Sequence, residues 1–125
     1  MEPIAPVTRG DQGRLAKITA VVRADQIDEV ERSLLDLRVP GVSITKVKGF
    51  GEYVDFFAPG WTTEHARLEI FLQRDRAPEV ARAIIDAART GGAGDGIVVV
   101  QDVVEIFRIR SGERLSEPGG WHGEG

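Results

Sequence analysis

Two clusters in this 125-residue sequence carry residue types that can do chemistry. The first is Thr90-Gly91-Gly92-Ala93-Gly94-Asp95-Gly96, with four glycines in the six residues 91–96. Glycine enters left-handed backbone without a steric cost, so such a run lets successive N–H groups converge on an anion. No Lys-Ser/Thr follows, and the next segment is apolar and strand-like. The run is therefore neither a Walker A loop nor the dinucleotide fingerprint, both of which lead into a helix. On its own it reads equally well as a plain helix-to-strand connection. The second cluster is Arg108-Ile109-Arg110. At strand spacing its two guanidiniums share a face, and two planar forks suit a phosphate chain. Alone, this pair reads more readily as a charged sheet edge. Together, a glycine cradle and paired arginines supply what a triphosphate needs.

Other chemistry is missing. The chain has two histidines, His65 and His122, and no cysteine, which excludes thiolate catalysis and a disulfide framework. There is no Gly-x-Ser-x-Gly elbow and no His-Glu-x-x-His, and the four serines have no base beside them in sequence. Most carboxylates fall on the polar faces of helical segments, where they are solvated. The sequence points away from an enzyme and from a metal centre. A net charge of −4 and a pI near 5.2 weigh against nucleic acid as a partner. No apolar run approaches the ~18 residues of a membrane span, and the N-terminus lacks the charged and apolar regions of a signal peptide. A cytoplasmic protein is expected.

The elements that must position these clusters follow from periodicity. Lys17–Arg23 alternates as a strand, with Ile18, Ala20 and Val22 on one face. Asp25 suits the N-cap of a helix carrying Ile27, Val30, Leu34 and Leu37 at helical spacing, which Pro40-Gly41 ends. Val42–Lys48 is a second, β-branched strand. A loop opens at Gly49-Phe50-Gly51 and runs to about His65, and residues 66–72 form the third strand. Pro78 starts a second helix with Val80, Ile84 and Ala87 or Ala88 buried, and Gly91 suits its C′ position. Ile97–Val100 is continuously apolar and predicts a buried strand. Residues 1–14 and 115–125, rich in glycine and proline, read as flexible ends around one folded unit at 15–114. The order strand, helix, strand, strand, helix, strand is the α+β ferredoxin-like βαββαβ pattern: an antiparallel sheet with two helices on one face. The bare face then calls for self-association.

In this setting the sequence resembles the PII signal-transduction family. Val47-Lys-Gly-Phe-Gly51, after Gly41-Val-Ser-Ile-Thr45, is similar to the segment leading into the PII T-loop. The glycine run at 90–96 is similar to the B-loop, and Arg108-Ile-Arg-Ser-Gly-Glu113 to the C-loop. The three stand in the family's order and cover about residues 15–115.

The resemblance implies a homotrimeric regulator that binds ATP or ADP, or AMP, between subunits and docks its T-loop onto a target protein. Phosphates would meet the backbone of Ala93, Gly94, Asp95 and Gly96, with Arg108 and Arg110 coming from the neighbouring subunit. Gly49 and Gly51 would allow close approach, Ser43 would face the adenine edge, and Val21 would pack on the base. Several positions depart from the family. Ile97 replaces a phosphate-touching lysine. Glu52 and Tyr53 replace the Arg-Gln that helps place magnesium and 2-oxoglutarate, and His65 replaces the lysine that pairs with 2-oxoglutarate. The loop at 52–65 is short for a T-loop and carries Tyr53, Phe56, Phe57 and Trp61, four of the eight aromatic residues. An apolar cluster on a loop suits a partner-binding surface, with a membrane transporter the partner that short-loop relatives suggest. Two alternatives keep the trimer: a sensor of bicarbonate or another small anion with ADP or AMP that regulates a transporter, and a metal-binding ferredoxin-like trimer.

Overall fold

The computed structural model describes residues 14–49 and 63–115. Four strands form one sheet in the order β2-β3-β1-β4, with every pairing antiparallel: β1 is Leu15–Arg23, β2 Ser43–Gly49, β3 Thr63–Gln73 and β4 Gly96–Val103. Helices α1, Ile27–Asp36, and α2, Ala77–Ala88, follow β1 and β3. They pack on each other and on the sheet, burying the even-numbered face of the central strands: Ile18 and Ala20 of β1, Leu68 and Ile70 of β3. The period-two alternation sets this register, because a one-residue slip would turn the whole apolar set outward. Val30 and Leu34 of α1 and Val80, Ile84 and Ala88 of α2 complete the core. The ferredoxin-like arrangement expected from the sequence is present.

The boundaries differ in instructive ways. Each helix is entered through a 3-10 turn, Ala24–Gln26 or Arg74–Arg76. Asp25 lies inside the first turn and does not cap α1; the residue at that position is Gln26, whose side chain makes no capping bond. The helix stops before Pro40-Gly41, because Arg38 takes a φ of +56° while the Arg38 and Val39 N–H groups bond back to Leu35 and Leu34. Helix α2 ends at Ala88 and Arg89 is already extended, so Gly91 belongs to the next loop and not to the helix terminus. Strand β3 starts at Thr63, which takes His65 out of the loop and into the sheet opposite Val47.

Strand β4 corrects a further expectation. Its apolar run suggested burial, yet Val99 and Val100 are 37% and 43% exposed. Among the described residues the strand pairs with β1 alone, and no second layer of them covers the sheet face opposite the helices. That open face carries Thr19 and Val21, Arg67, Phe71, Ile97 and Val99, with Lys17 bonded to Glu69 at 2.8 Å and set 5.8 Å above the Phe71 ring. No helix among the described residues is long and apolar enough to cross a membrane.

Candidate functional site

The glycine run folds over the end of the sheet where β1 finishes and β4 begins. Asp95 organises it. One carboxylate oxygen accepts the Thr90 and Gly91 N–H groups at 2.8 and 2.9 Å. The other accepts the Thr90 hydroxyl and, at 3.0 Å, Nε of Arg23. The Thr90 hydroxyl oxygen in turn accepts the Gly92 N–H at 3.1 Å. Partial burial by itself raises the Asp95 pKa. The bonds from the Thr90 hydroxyl and N–H, the Arg23 guanidinium and the Gly91 N–H outweigh it, holding the carboxyl well below the usual carboxylate range.

The inner side of the loop is tied to the sheet. The Arg23 guanidinium also donates to the Ala93 carbonyl, and Nε2 of buried His65 lies 2.7 Å from the Gly94 carbonyl oxygen. Gly94 has a φ of +90° and Gly96 of +105°, the left-handed side that glycine favours. Ala93 and Gly94 form the centre of a turn that sets the Asp95 N–H toward the Gly92 carbonyl, and the N–H groups of Ala93, Gly94 and Asp95 make no well-formed hydrogen bond to a described residue. Beside the loop, an open cleft of about 310 Å³ is lined by Val21, Ile84, Ala88, Arg89, Ile97 and Asp95 itself.

The sequence-derived residues divide into groups. Val21 lies on the open face opposite Ile97, and its carbonyl oxygen abuts Gly96. Ala93, Gly94, Asp95 and Gly96 form the loop. Gly49 pairs with Thr63 at the far end of β2. Ser43 begins β2 in register with Glu69, beside a shallow hollow formed with Pro40, Val42 and Phe71. Arg108 and Arg110 lie beyond the other end of β4, whose seven steps from Gly96 to Val103 span about 23 Å. They do not sit at strand spacing. Residues 107–114 close a tight hairpin in which Phe107 pairs with Arg114, the Arg108 N–H bonds Glu113, and Gly112 turns at a φ of +74°. Ser111-Gly112 supplies the turn that breaks the strand. Gly51, Tyr53, Phe56, Phe57 and Trp61 lie outside the described residues.

Arg23 and the bond made by His65 were not read from the sequence. The antiparallel register is the signal that finds Arg23. Pairing Val22 with Gly96 brings the next residues out, Arg23 and Asp95, side by side.

The described residues thus form an antiparallel βαββαβ sheet with a glycine loop tied over one end and an arginine hairpin following β4. The profile of the family described as Nitrogen regulatory protein P-II matches residues 15–113. The P-II protein of Rhizobium meliloti (strain 1021) is 35% identical over 111 residues, covering 79% of this chain and 95% of its own. That of Rhizobium leguminosarum bv. viciae is 36% identical over 111 residues, with the same coverage. A crystal structure of Arabidopsis thaliana PII bound to citrate superposes with a TM-score of 0.68 at 32% identity, covering 82% of this chain and 86% of that one. The chain belongs to the nitrogen regulatory protein P-II family of signal-transduction regulators.

Proposed function

We propose that this chain assembles as a homotrimer that binds ATP or ADP between neighbouring subunits and controls a partner protein through the segment between β2 and β3. The phosphates meet the backbone of Ala93–Gly96 on one subunit and Arg108 and Arg110 of the next. Val21, Ser43, Gly49 and Gly51 border the nucleotide. Tyr53, Phe56, Phe57 and Trp61 present an aromatic surface to the partner, in keeping with the enrichment of such residues at interface hot spots.

The observation that carries this reading is the split described above. The anion cradle precedes β4 and the paired arginines follow it, with a strand about 23 Å long between them. On this reading the cradle of one copy and the arginines of the next close on a single nucleotide. The bare sheet face, with its exposed Phe71 and Val99, gives the copies an apolar surface to share. The Arabidopsis relative is bound to citrate, itself a polyanion.

Isothermal calorimetry with ATP and ADP tests the reading. Arg108→Ala should weaken binding by more than about tenfold while the oligomer stays intact, since a charge-assisted contact is worth roughly 1.5–3 kcal/mol. Absence of nucleotide binding to the parent protein, or equal binding by the variant, refutes it.

A further inference from the structure

His65 is fully buried at the edge of the site, although nothing in the proposed nucleotide contacts uses it. It stands in β3 between Val47 of β2 and Arg23 of β1. Its Nε2 lies 2.7 Å from the Gly94 carbonyl oxygen. A carbonyl oxygen only accepts, so Nε2 must carry the proton.

This bond has a consequence one atom further on. The peptide bonds of the described residues are trans, so the C=O of one residue and the N–H of the next point in opposite directions. Arg23 draws the Ala93 carbonyl inward, and His65 draws the Gly94 carbonyl inward. The N–H groups of Gly94 and Asp95 are thereby turned away from the sheet; Ala93 and Gly94 form the centre of a turn in which the Asp95 N–H looks toward the Gly92 carbonyl, and neither N–H makes a well-formed hydrogen bond to a described residue. The amides of Thr90, Gly91 and Gly92 are already spent on Asp95 and the Thr90 hydroxyl. Two adjacent outward amides make an anion nest.

We infer that His65 is a positioning residue of the phosphate site. Through its Nε2–H it fixes the Gly94–Asp95 peptide so that the Asp95 N–H faces the anion, and it does not touch the ligand itself. The inference rests on the phosphate-cradle reading of the glycine loop. Arg23 performs the same task one peptide earlier, but it also braces Asp95, so its substitution would not isolate the effect. His65 offers the cleaner experiment.

The test compares His65→Gln, which keeps an N–H donor of similar reach, with His65→Met, which has similar length and no donor. ATP and inorganic tripolyphosphate are titrated into each full-length protein, by calorimetry and by following the Gly94 and Asp95 amide resonances. His65→Met should bind both ligands about tenfold more weakly, the equivalent of one oriented hydrogen bond, and lose the ligand-induced shift at Asp95. His65→Gln should stay within about threefold of the parent, which is less than one net hydrogen bond. A methionine variant that binds like the parent overturns the inference and leaves the nucleotide reading standing. So does equal weakening in both variants, which would make His65 merely structural. A parent that binds tripolyphosphate but not ATP overturns the nucleotide reading, and the tripolyphosphate data then decide the role of His65. A parent that binds neither overturns both. Should His65→Met fail to fold, the imidazole ¹⁵N spectrum of the parent decides: an unprotonated Nε2 refutes the inference, while a protonated Nε2 with parent-like binding by His65→Gln upholds it.

Discussion

A methyl group built on Gly96 would come within 1.7 Å of the Val21 carbonyl oxygen, and the residue's φ of +105° disfavours any side chain. Neither β1 nor the loop can retreat without breaking the Arg23–Asp95 pair beside them. Gly96→Ala should therefore cost about 3 kcal/mol or more, in the range of strained or overpacked sites. Urea denaturation measures this, and a loss below about 1 kcal/mol, an ordinary surface effect, would contradict it. Asp95 makes a different kind of contribution. Its folded-state pKa lies below the unfolded value of about 3.9. Its stabilisation is thus complete above about pH 5, shrinks as pH falls past the unfolded pKa, and vanishes only below the folded one. The stability difference between the parent and Asp95→Asn should be widest near neutrality and narrow as pH drops toward 2, read from urea midpoints across that range. A difference that is constant or grows in acid would contradict the assignment. The glycine run advertised itself in the sequence because glycine has few reasons to cluster. The residues that tie the run down did not, because Arg23 and His65 are ordinary types whose roles arise from a partner 72 or 29 positions away.

At the scale of elements, the strand and helix order was legible because Ile18, Ala20 and Val22 alternate while Val30 and Leu34 recur at four, so period alone separates the two. The burial of β4 was not legible. An apolar run says that a strand touches other apolar groups, but not whether they belong to its own chain, and here Val99 and Val100 stand half open at an edge. The Arg108–Arg110 spacing misled for a local reason: Gly112 two residues on turns the chain before a strand can form. The start of β3 has a functional consequence. In the PII resemblance, a lysine at the position of His65 pairs with 2-oxoglutarate. Here the side chain is buried in the sheet and bonded to the Gly94 carbonyl. Titrating 2-oxoglutarate with Mg-ATP present should give no ATP-dependent binding in the micromolar range. Such binding would mean that His65 leaves Gly94 or that another cation takes the lysine's part.

At the scale of the whole molecule, the described residues offer a covered sheet face and a bare one, with a glycine loop leading into β4 and an arginine hairpin following it. On the homotrimer reading, each nucleotide site draws its glycine loop from one subunit and its arginines from the next around the ring. That arrangement makes the protein amenable to complementation between two broken copies. A chain disabled in the loop, Asp95→Ala, keeps sound arginines. A chain disabled in the hairpin, Arg108→Ala, keeps a sound loop. Each alone should form trimers with no working site. When the two are unfolded together and reassembled, every mixed ring contains one junction at which a sound loop meets sound arginines, so nucleotide binding should reappear. Recovery in the mixture, with none when either variant is refolded alone, would be a genetic signature of a site shared between subunits. A mixture as inactive as its components would place both halves of the site on the same chain, or nowhere.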